Sequence, residues 1–351
     1  SLRDARRGHA RRVTVLGGEF RLNGEPLLEL EMVGESSVVD LEEAAVLSGI
    51  LADGRPFAFA RDDRARFDDG TLELVSVHLP ARGAEIVHVT SDVTPVGLRS
   101  GQMLHLGDGG LIGDNFRADW GSAVKMTGGE IGSGFEAVGA DISISGGNVD
   151  HGLKAFRGTT IAVSDGIVAN LTLFDGSSAQ LSQNGELSSV SLHQGGALSA
   201  SDRSAIRYLH MTGGETVVVD ETTLGNVNVI GGKMRIDGGD LAGDFGIRDN
   251  ADVEVWGGSM ADSLRVKDGG KLNFFGSDFR LNGEPLSRLE QLGDSRNVDI
   301  NNWKSYAVLS GVLADGTPLV LAPWDGGVVL TPISVTLVDV PHAQPAMYEI
   351  S

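Results

Sequence analysis

The densest group of acidic side chains in the glycine-rich part of the chain is a set of four aspartates in one short stretch. Carboxylate oxygens are the ligands that Ca²⁺ prefers, and paired carboxylates also serve as general acids and bases. Aspartate is also common in tight turns, where it tolerates a left-handed backbone. The pattern therefore leaves three interpretations open, namely plain turn residues, a weak Ca²⁺ site and a catalytic cluster. The four residues are Asp237, Asp240, Asp244 and Asp249.

Other side chains that perform chemistry are sparse or scattered. The chain has no cysteine, and no two of its eight histidines have the close helical spacing of a zinc site. We therefore expect no cofactor other than the weak Ca²⁺ candidate, and no enzymatic activity. An enzyme that uses a Ca²⁺ site of this kind with a Lys or Arg base stays as an alternative.

The charge is strongly acidic, with 48 Asp and Glu against 28 Lys and Arg and a net charge of −20. This balance disfavours nucleic acid and anionic membrane as partners, and no apolar run is long enough to span a membrane. Five arginines nevertheless crowd the first 12 residues. They form either a flexible tail or processing remnant, or an arm that docks on an acidic surface of a neighbouring copy.

Glycine-rich breaks recur about every 19 residues in the middle of the chain. Between them lie strands with period-two alternation, such as Asp141–Ser145 and Thr160–Ser164, and a second set such as Leu171–Leu173. Turn pairs such as Gly213-Gly214 and Gly231-Gly232 separate the two sets. The pattern predicts two strands in each repeating unit.

Such short strands are unstable as isolated hairpins, but at a constant spacing they stack coil on coil. We therefore predict an all-β fold, a parallel β-helix over residues 92–278 that is clearest from Gly121 to Phe279. Hairpin meanders and a β-sandwich are the rival folds, and the regular two-strand unit favours the β-helix. The 50 glycines and the 5% of aromatic residues suit narrow coils.

A longer repeat brackets this region. Phe20–Leu27 recurs as Phe279–Leu286, and Leu47–Pro56 recurs as Leu309–Pro318, with an offset of 259 and then 262 residues. Asn-Gly and Asp-Gly followed by proline read as turns between strands. The repeat predicts a duplicated small β module, with copy 1 at 20–91 and copy 2 at 279–351. Residues 1–19 are predicted to be a basic arm followed by a β-helix-like strand.

The register of this repeat predicts that each end of the chain is half of a junction. Val13–Gly18 resembles Leu272–Ser277 in the last coil. Ala346–Ser351 ends at about the position of copy 2 that corresponds to the point where copy 1 runs into the β-helix. An open strand edge accepts a strand from another chain, so we expect copies to assemble head to tail. The predicted interface consists of Arg3, Arg6, Arg7, Arg11, Arg12, Val13, Val15, Tyr348 and Ile350.

Two stretches, Gly129–Val138 and Gly147–Phe156, resemble the repeats of secreted bacterial glycine-rich parallel β-helix proteins. The Phe-Arg-Leu-Asn-Gly and Leu-Ala-Asp-Gly-x-Pro modules look like those that alternate with such β-helices in PEP-CTERM-type surface proteins. The resemblance implies an extracellular location, at the cell surface or in a matrix. It does not specify an activity.

These observations favour an extracellular structural scaffold that assembles head to tail into a filament or surface layer. A polysaccharide-binding or adhesion module is the first alternative, and a polysaccharide lyase is the second. The expected partners are copies of the same chain and, in the first alternative, a polysaccharide.

Overall fold

The computed structural model describes residues 13–41, 45–60, 72–89, 95–260, 263–300, 307–322 and 333–340. The protein is all-β, with 56% strand and 1% helix, and contains a parallel β-solenoid of about 10 coils of ~19 residues flanked by small sheets. The predicted fold class is thus confirmed. The chain forms two compact units, Ser1–Ala179 and Gln180–Ser351.

Unit 1 begins with a small sheet, which we call module 1. Its strand order is β3-β6-β1-β4-β5, with β2 as a hairpin partner of β1. Alternating apolar residues such as Val15, Leu47, Phe57 and Leu74 bury one face of this sheet as its core. The strands of the sheet are β1 (Val13–Leu22), β2 (Glu25–Pro26), β3 (Ser36–Val39), β4 (Val46–Leu51), β5 (Pro56–Ala60) and β6 (Leu72–Ser76), with a short 3-10 helix at Leu28–Leu30 between β2 and β3. Strand β7 (Ile86–Val89) follows the sheet in the chain and belongs to the first coil.

The coils of unit 1 carry three parallel ladders of strands rather than the predicted two. The first ladder runs through β7, β8, β11, β14 and β17, and the other two start at β9 and β10. The extra ladder has strands of only two residues, which are too short to show an alternation in sequence. The strands are β8 (Met103–Leu106), β9 (Leu111–Ile112), β10 (Arg117–Ala118), β11 (Ala123–Met126), β12 (Glu130–Ile131), β13 (Glu136–Val138), β14 (Asp141–Ile144), β15 (Asn148–Val149), β16 (Leu153–Phe156), β17 (Thr160–Val163), β18 (Ile167–Leu173) and β19 (Ser178–Leu181).

In unit 2 several of these short strands merge. The predicted turns at Gly213-Gly214 and Gly231-Gly232 lie inside the continuous strands β22 and β23, so the turn prediction is wrong there. Gly214 has a φ of +75°, and the register between β22 and β23 shifts at this point, so the chain bends without leaving the ladder. The strands are β20 (Glu186–Leu192), β21 (Ala197–Ala200), β22 (Ala205–Val218), β23 (Thr223–Ile236), β24 (Asp240–Leu241), β25 (Phe245–Ile247), β26 (Asp252–Val255) and β27 (Leu264–Val266).

Unit 2 also contains the second sheet, module 2. Its strand order, β30-β33-β28-β31-β32, repeats that of module 1 strand for strand. Both modules have a bulge at the same place, where Glu19 and Asp278 adopt φ values of +52° and +51°. The duplication seen in the sequence is therefore a duplication of the sheet. The strands are β28 (Lys271–Leu281), β29 (Glu284–Pro285), β30 (Ser295–Val298), β31 (Leu309–Leu313), β32 (Pro318–Leu321) and β33 (Ile333–Leu337).

Candidate assembly surface

Module 2 shows how a module joins a β-helix. The first half of β28 pairs in parallel with β26 of the preceding coil, from Asp252↔Lys271 to Val255↔Phe274. The second half of the same strand lies in the module sheet, between β33 and β31. One continuous strand thus belongs to both structures. The predicted boundary at 278/279 falls inside this strand.

A ring stack and two hydrogen bonds also tie the coil to module 2. The Trp256 ring stacks on the Phe275 ring with centroids 3.9 Å apart and an interplanar angle of 5°. Arg235 covers the other face of Trp256, with its Cζ 4.7 Å from the ring centroid. The Asp315 carboxylate accepts a hydrogen bond of 2.7 Å from Gly258 N, and Asp315 N donates one of 3.1 Å to Trp256 O.

The counterparts of these groups in module 1 are not engaged in this way. Among the described residues β1 pairs with β2, β4 and β6, and no strand takes the place that β26 has beside β28. Thr14 corresponds to Asn273. Thr14 pairs in register with Glu73 of β6, just as Asn273 pairs with Ser334 of β33. The edge of β1 that faces away from β6 at Thr14 is therefore open in the described part of the chain.

The direction of the backbone groups at this edge follows from β28. Lys271 N donates to Ala251 O of the preceding coil over 2.8 Å, and residues two apart in a strand direct their N–H groups to the same side. Asn273 accordingly faces β26, and by the repeat Thr14 N–H and C=O face the open side of β1. Unpaired groups of this kind form a template for another strand.

The side chains at this edge also lack the coil contacts that their counterparts in module 2 make. Leu16 occupies the position of Phe275, and where Phe275 has Trp256 over it, Leu16 is 51% exposed. Asp53 occupies the position of Asp315, but its carboxylate accepts from Arg55 Nε at 2.7 Å instead of from a coil. The Arg55 hydrogen bond lowers the pKa of Asp53. We call the open edge at Thr14, together with Leu16 and Asp53, the coil-acceptor face.

The residues predicted for the interface fall into two groups. Val15 is buried in the module 1 core and Val13 packs against that core, so their side chains hold the sheet together, and it is the backbone edge beside them that is open. The other predicted interface residues, Arg3, Arg6, Arg7, Arg11, Arg12, Tyr348 and Ile350, lie outside the described residues.

Within unit 1 the module is fixed firmly to the first coils. Strand β7 pairs in parallel with β8 from Ile86↔Met103 to Val89↔Leu106. A second apolar cluster combines Val46 and Ala60 of the module with coil residues such as Phe156, whose ring stacks on Phe174 at 5.0 Å. The coil-acceptor face is therefore presented by a sheet that shares an apolar cluster with the coils and continues through the chain into β7.

Polar contacts reinforce this attachment. Arg99 is almost fully buried, and it binds Glu19 of the module bulge at 2.6 Å and Pro80 O at 2.8 Å. Burial raises the pKa of Glu19, but the hydrogen bonds and charges of Arg99 and Arg82 outweigh it and leave the pKa below its ordinary value. Nearby, burial raises the pKa of Asp119 to about 7.

The four aspartates singled out in the sequence are not brought together. Three of them have separate local contacts: Asp237 pairs with Arg235 at 2.7 Å, Asp240 accepts from Ser259 Oγ, and Asp244 N donates to Asn226 Oδ1 over 3.0 Å. Asp249 takes a turn conformation with φ of +57°. Within the described residues no group of three or more His, Asp or Glu side chains is placed to hold a metal ion.

The sequence predicted that β1 is half of a junction but did not reveal which side chains lie there. Leu16 and Phe275 already stand at matching positions of Val13–Gly18 and Leu272–Ser277, and Asp53 and Asp315 at matching positions of the longer repeat, but nothing in the sequence marks them as contact residues. The role of Trp256 was not visible, because the coil residues have no counterpart before copy 1 in the described chain.

Comparison of the chain with protein-family models, with curated proteins and with solved structures finds no match. None of the described helical segments has the length and apolar character needed to cross a bilayer.

Proposed function

We propose that this protein is an extracellular structural scaffold whose β modules join β-helices end to end. In this proposal the coil-acceptor face of module 1 receives a coil strand of another copy, by the parallel pairing that joins β28 to β26 in module 2. The donor is a strand other than β26, because β28 already covers β26 in every copy. The contact is heterologous, because a module surface meets a coil, so repeated contacts extend into a filament unless they close a ring.

The observation that carries the proposal is the difference between two modules of the same fold. In module 2 the strand edge, the aromatic position and the aspartate are all occupied by one coil, through β26, Trp256 and Gly258 N. In module 1 the same three elements are present and no coil of the described chain occupies them. Backbone pairing supplies affinity in such strand addition, and the flanking side chains supply specificity.

The test is self-association of the intact chain. We expect sedimentation velocity over a rising concentration series to show assembly, and negative-stain electron microscopy to show linear chains of particles. Leu16→Glu places a charge where an apolar side chain should be covered, and we expect it to weaken association at least about tenfold.

Leu28→Glu is the matched control, because Leu28 is also an exposed leucine of module 1, at 69% against 51% for Leu16. Its counterpart Ser287 contacts Arg296 of the module, not a coil, so this variant should associate like the wild type. A wild-type protein that stays monomeric at the highest concentration, or equal loss in both variants, would refute the proposal.

A further inference from the structure

A hollow of about 340 Å³ lies on the outer surface of the unit 2 coils, across β22, β23, β25 and β27. Two columns of outward-facing residues border it, and successive members of each column are in register on adjacent coils. The volume is near the lower end of the range for small-molecule sites, roughly 300–1,000 Å³. The hollow thus has room for a small ligand, such as one or two rings of a polymer.

The hollow exists because one column lacks a side chain at Gly246. This column reads His210, Asn228, Gly246 and Arg265 on four successive coils. A Cβ at Gly246 would meet Asn228 Oδ1 at 3.5 Å, an ordinary contact, and the backbone there has no positive φ. The backbone does not require glycine at this position, so the gap is a property of the surface.

The floor of the hollow is mainly apolar, and Tyr208 stands beside it. The side chain is 51% exposed and belongs to the second column, next to Asn226. An exposed aromatic ring offers a flat apolar face and a hydroxyl that donates and accepts hydrogen bonds. This combination suits a ligand that is itself apolar on one face and polar at its edge.

The amides around the floor are held in fixed orientations. Asn228 Nδ2 donates to His210 Nδ1 over 3.2 Å, and Asp244 N donates to Asn226 Oδ1 over 3.0 Å. Burial lowers the pKa of His210, and the charge of Arg248 lowers it further, so the imidazole is neutral at neutral pH with Nε2–H as its donor. The hollow therefore has a preset pattern of uncharged donors and acceptors.

One further polar atom lining the hollow lacks a partner. Ser263 Oγ is shielded from solvent and, in the described part of the chain, makes no hydrogen bond. A shielded hydroxyl without a partner costs free energy unless something binds it. Because this oxygen has almost no exposed surface, a ligand in the hollow does not contact it without a rotation of the Ser263 side chain.

From these features we infer that the hollow binds a sugar ring of a neutral polysaccharide. A pyranose has an apolar face that fits Tyr208 and hydroxyls that match the amides and the imidazole. The charged residues at the rim, Asp244 and Arg265, are of opposite sign, so the site does not select an anion. A net charge of −20 for the chain further disfavours nucleic acid. The site is separate from the coil-acceptor face, so this inference does not depend on self-assembly.

The test is isothermal titration calorimetry of the intact protein with cellohexaose, maltohexaose and hexagalacturonate. We expect at least one neutral hexamer to bind more tightly than the acidic one. Tyr208→Ala removes the apolar platform and Gly246→Val fills the hollow, and each should weaken binding at least about tenfold. Tyr208→Phe keeps the platform and should stay within about threefold of the wild type.

Gly113→Val is the matched control for the hollow-filling variant, because a Cβ at Gly113 meets no atom within 4 Å and its backbone has no positive φ. It should bind like the wild type. No binding of either neutral hexamer at millimolar concentration, tighter binding of the acidic hexamer, or binding that survives both Tyr208→Ala and Gly246→Val would overturn the inference.

Discussion

Asp119 shows how far the environment of one residue in unit 1 departs from what its sequence suggests. In the sequence it lies in a short polar stretch, Arg117-Ala118-Asp119, and resembles any turn aspartate. In the structure it is 2% exposed, and its Oδ1 has no hydrogen-bond partner among the described residues. Its burial comes from the packing of module 1 on the first coils, which no local pattern could reveal. The neighbouring Glu19–Arg99 pair was equally hidden, because 80 residues separate the two.

The raised pKa of Asp119 gives the stability of unit 1 a defined pH dependence. The folded pKa is about 7, against 3.8 for the free side chain, so the folded state binds a proton that the unfolded state has lost between these values. The contribution of Asp119 to the free energy of unfolding should therefore fall as the pH rises from 4 to 7, by at most about 4 kcal/mol.

Asp119→Asn is the variant that checks this dependence by urea denaturation at a series of pH values. At pH 4 we expect the free energy of unfolding of the variant to equal that of the wild type or to be lower. As the pH rises to 8 it should increasingly exceed the wild-type value, because an amide carries no charge to bury. Parallel pH profiles for the two proteins would show that Asp119 titrates normally.

At the scale of the elements, the sequence predicted the coils well where strands alternate. The predicted strands Asp141–Ser145 and Thr160–Ser164 correspond to β14 and β17 within one residue at their ends. It failed where strands have two residues, as in β12 and β15, and where a glycine bends a strand without ending it, as at Gly214. Both failures share a cause, since register in these places is set by the adjacent coil and not by the local residues.

The turn glycines of unit 1 differ in how much their replacement should lower the free energy of unfolding, because the packing of the coils around each glycine differs. Gly139 has a φ of +57°, and a Cβ there would meet the Trp120 ring at 2.0 Å. Gly139→Ala should therefore destabilise the protein by more than the roughly 1–2 kcal/mol of a left-handed alanine alone. Gly113→Ala, in open space, should change the free energy of unfolding by well under 1 kcal/mol.

Chemical denaturation of the two alanine variants beside the wild type measures this difference. Similar stabilities for Gly139→Ala and Gly113→Ala would mean that Trp120 does not pack over Gly139 as described.

At the scale of the whole molecule, the sequence predicted the duplicated modules and the idea that β1 is half of a junction. It could not supply the contacts, because these become visible only when both modules are compared in three dimensions. The charge of the chain adds a further expectation. Two copies with a net charge of −20 repel each other, so association through strand pairing should strengthen when salt screens this repulsion. Docking of the arginine-rich arm on an acidic surface would weaken instead.

The salt dependence is measured by sedimentation velocity from low ionic strength to about 0.15 M, where the Debye length is near 8 Å. We expect the associated fraction to rise with salt. A fall would indicate that the arginine arm, and not the coil-acceptor face, dominates the contact.

The most direct test of the account asks what lies against Leu16 in the assembled protein. The chain has no cysteine, so Leu16→Cys introduces a single thiol for a photoactivatable cross-linker, and Leu28→Cys serves as the control. After illumination of a mixture of isotope-labelled and unlabelled protein, mass spectrometry of the cross-linked peptides identifies the neighbour, and mixed-isotope pairs show that it belongs to another copy. We predict that Cys at position 16 is joined to a coil residue of another copy, and that the control is not. Cross-links from position 16 confined to the same chain would contradict the central claim that the coil-acceptor face binds a coil of another molecule.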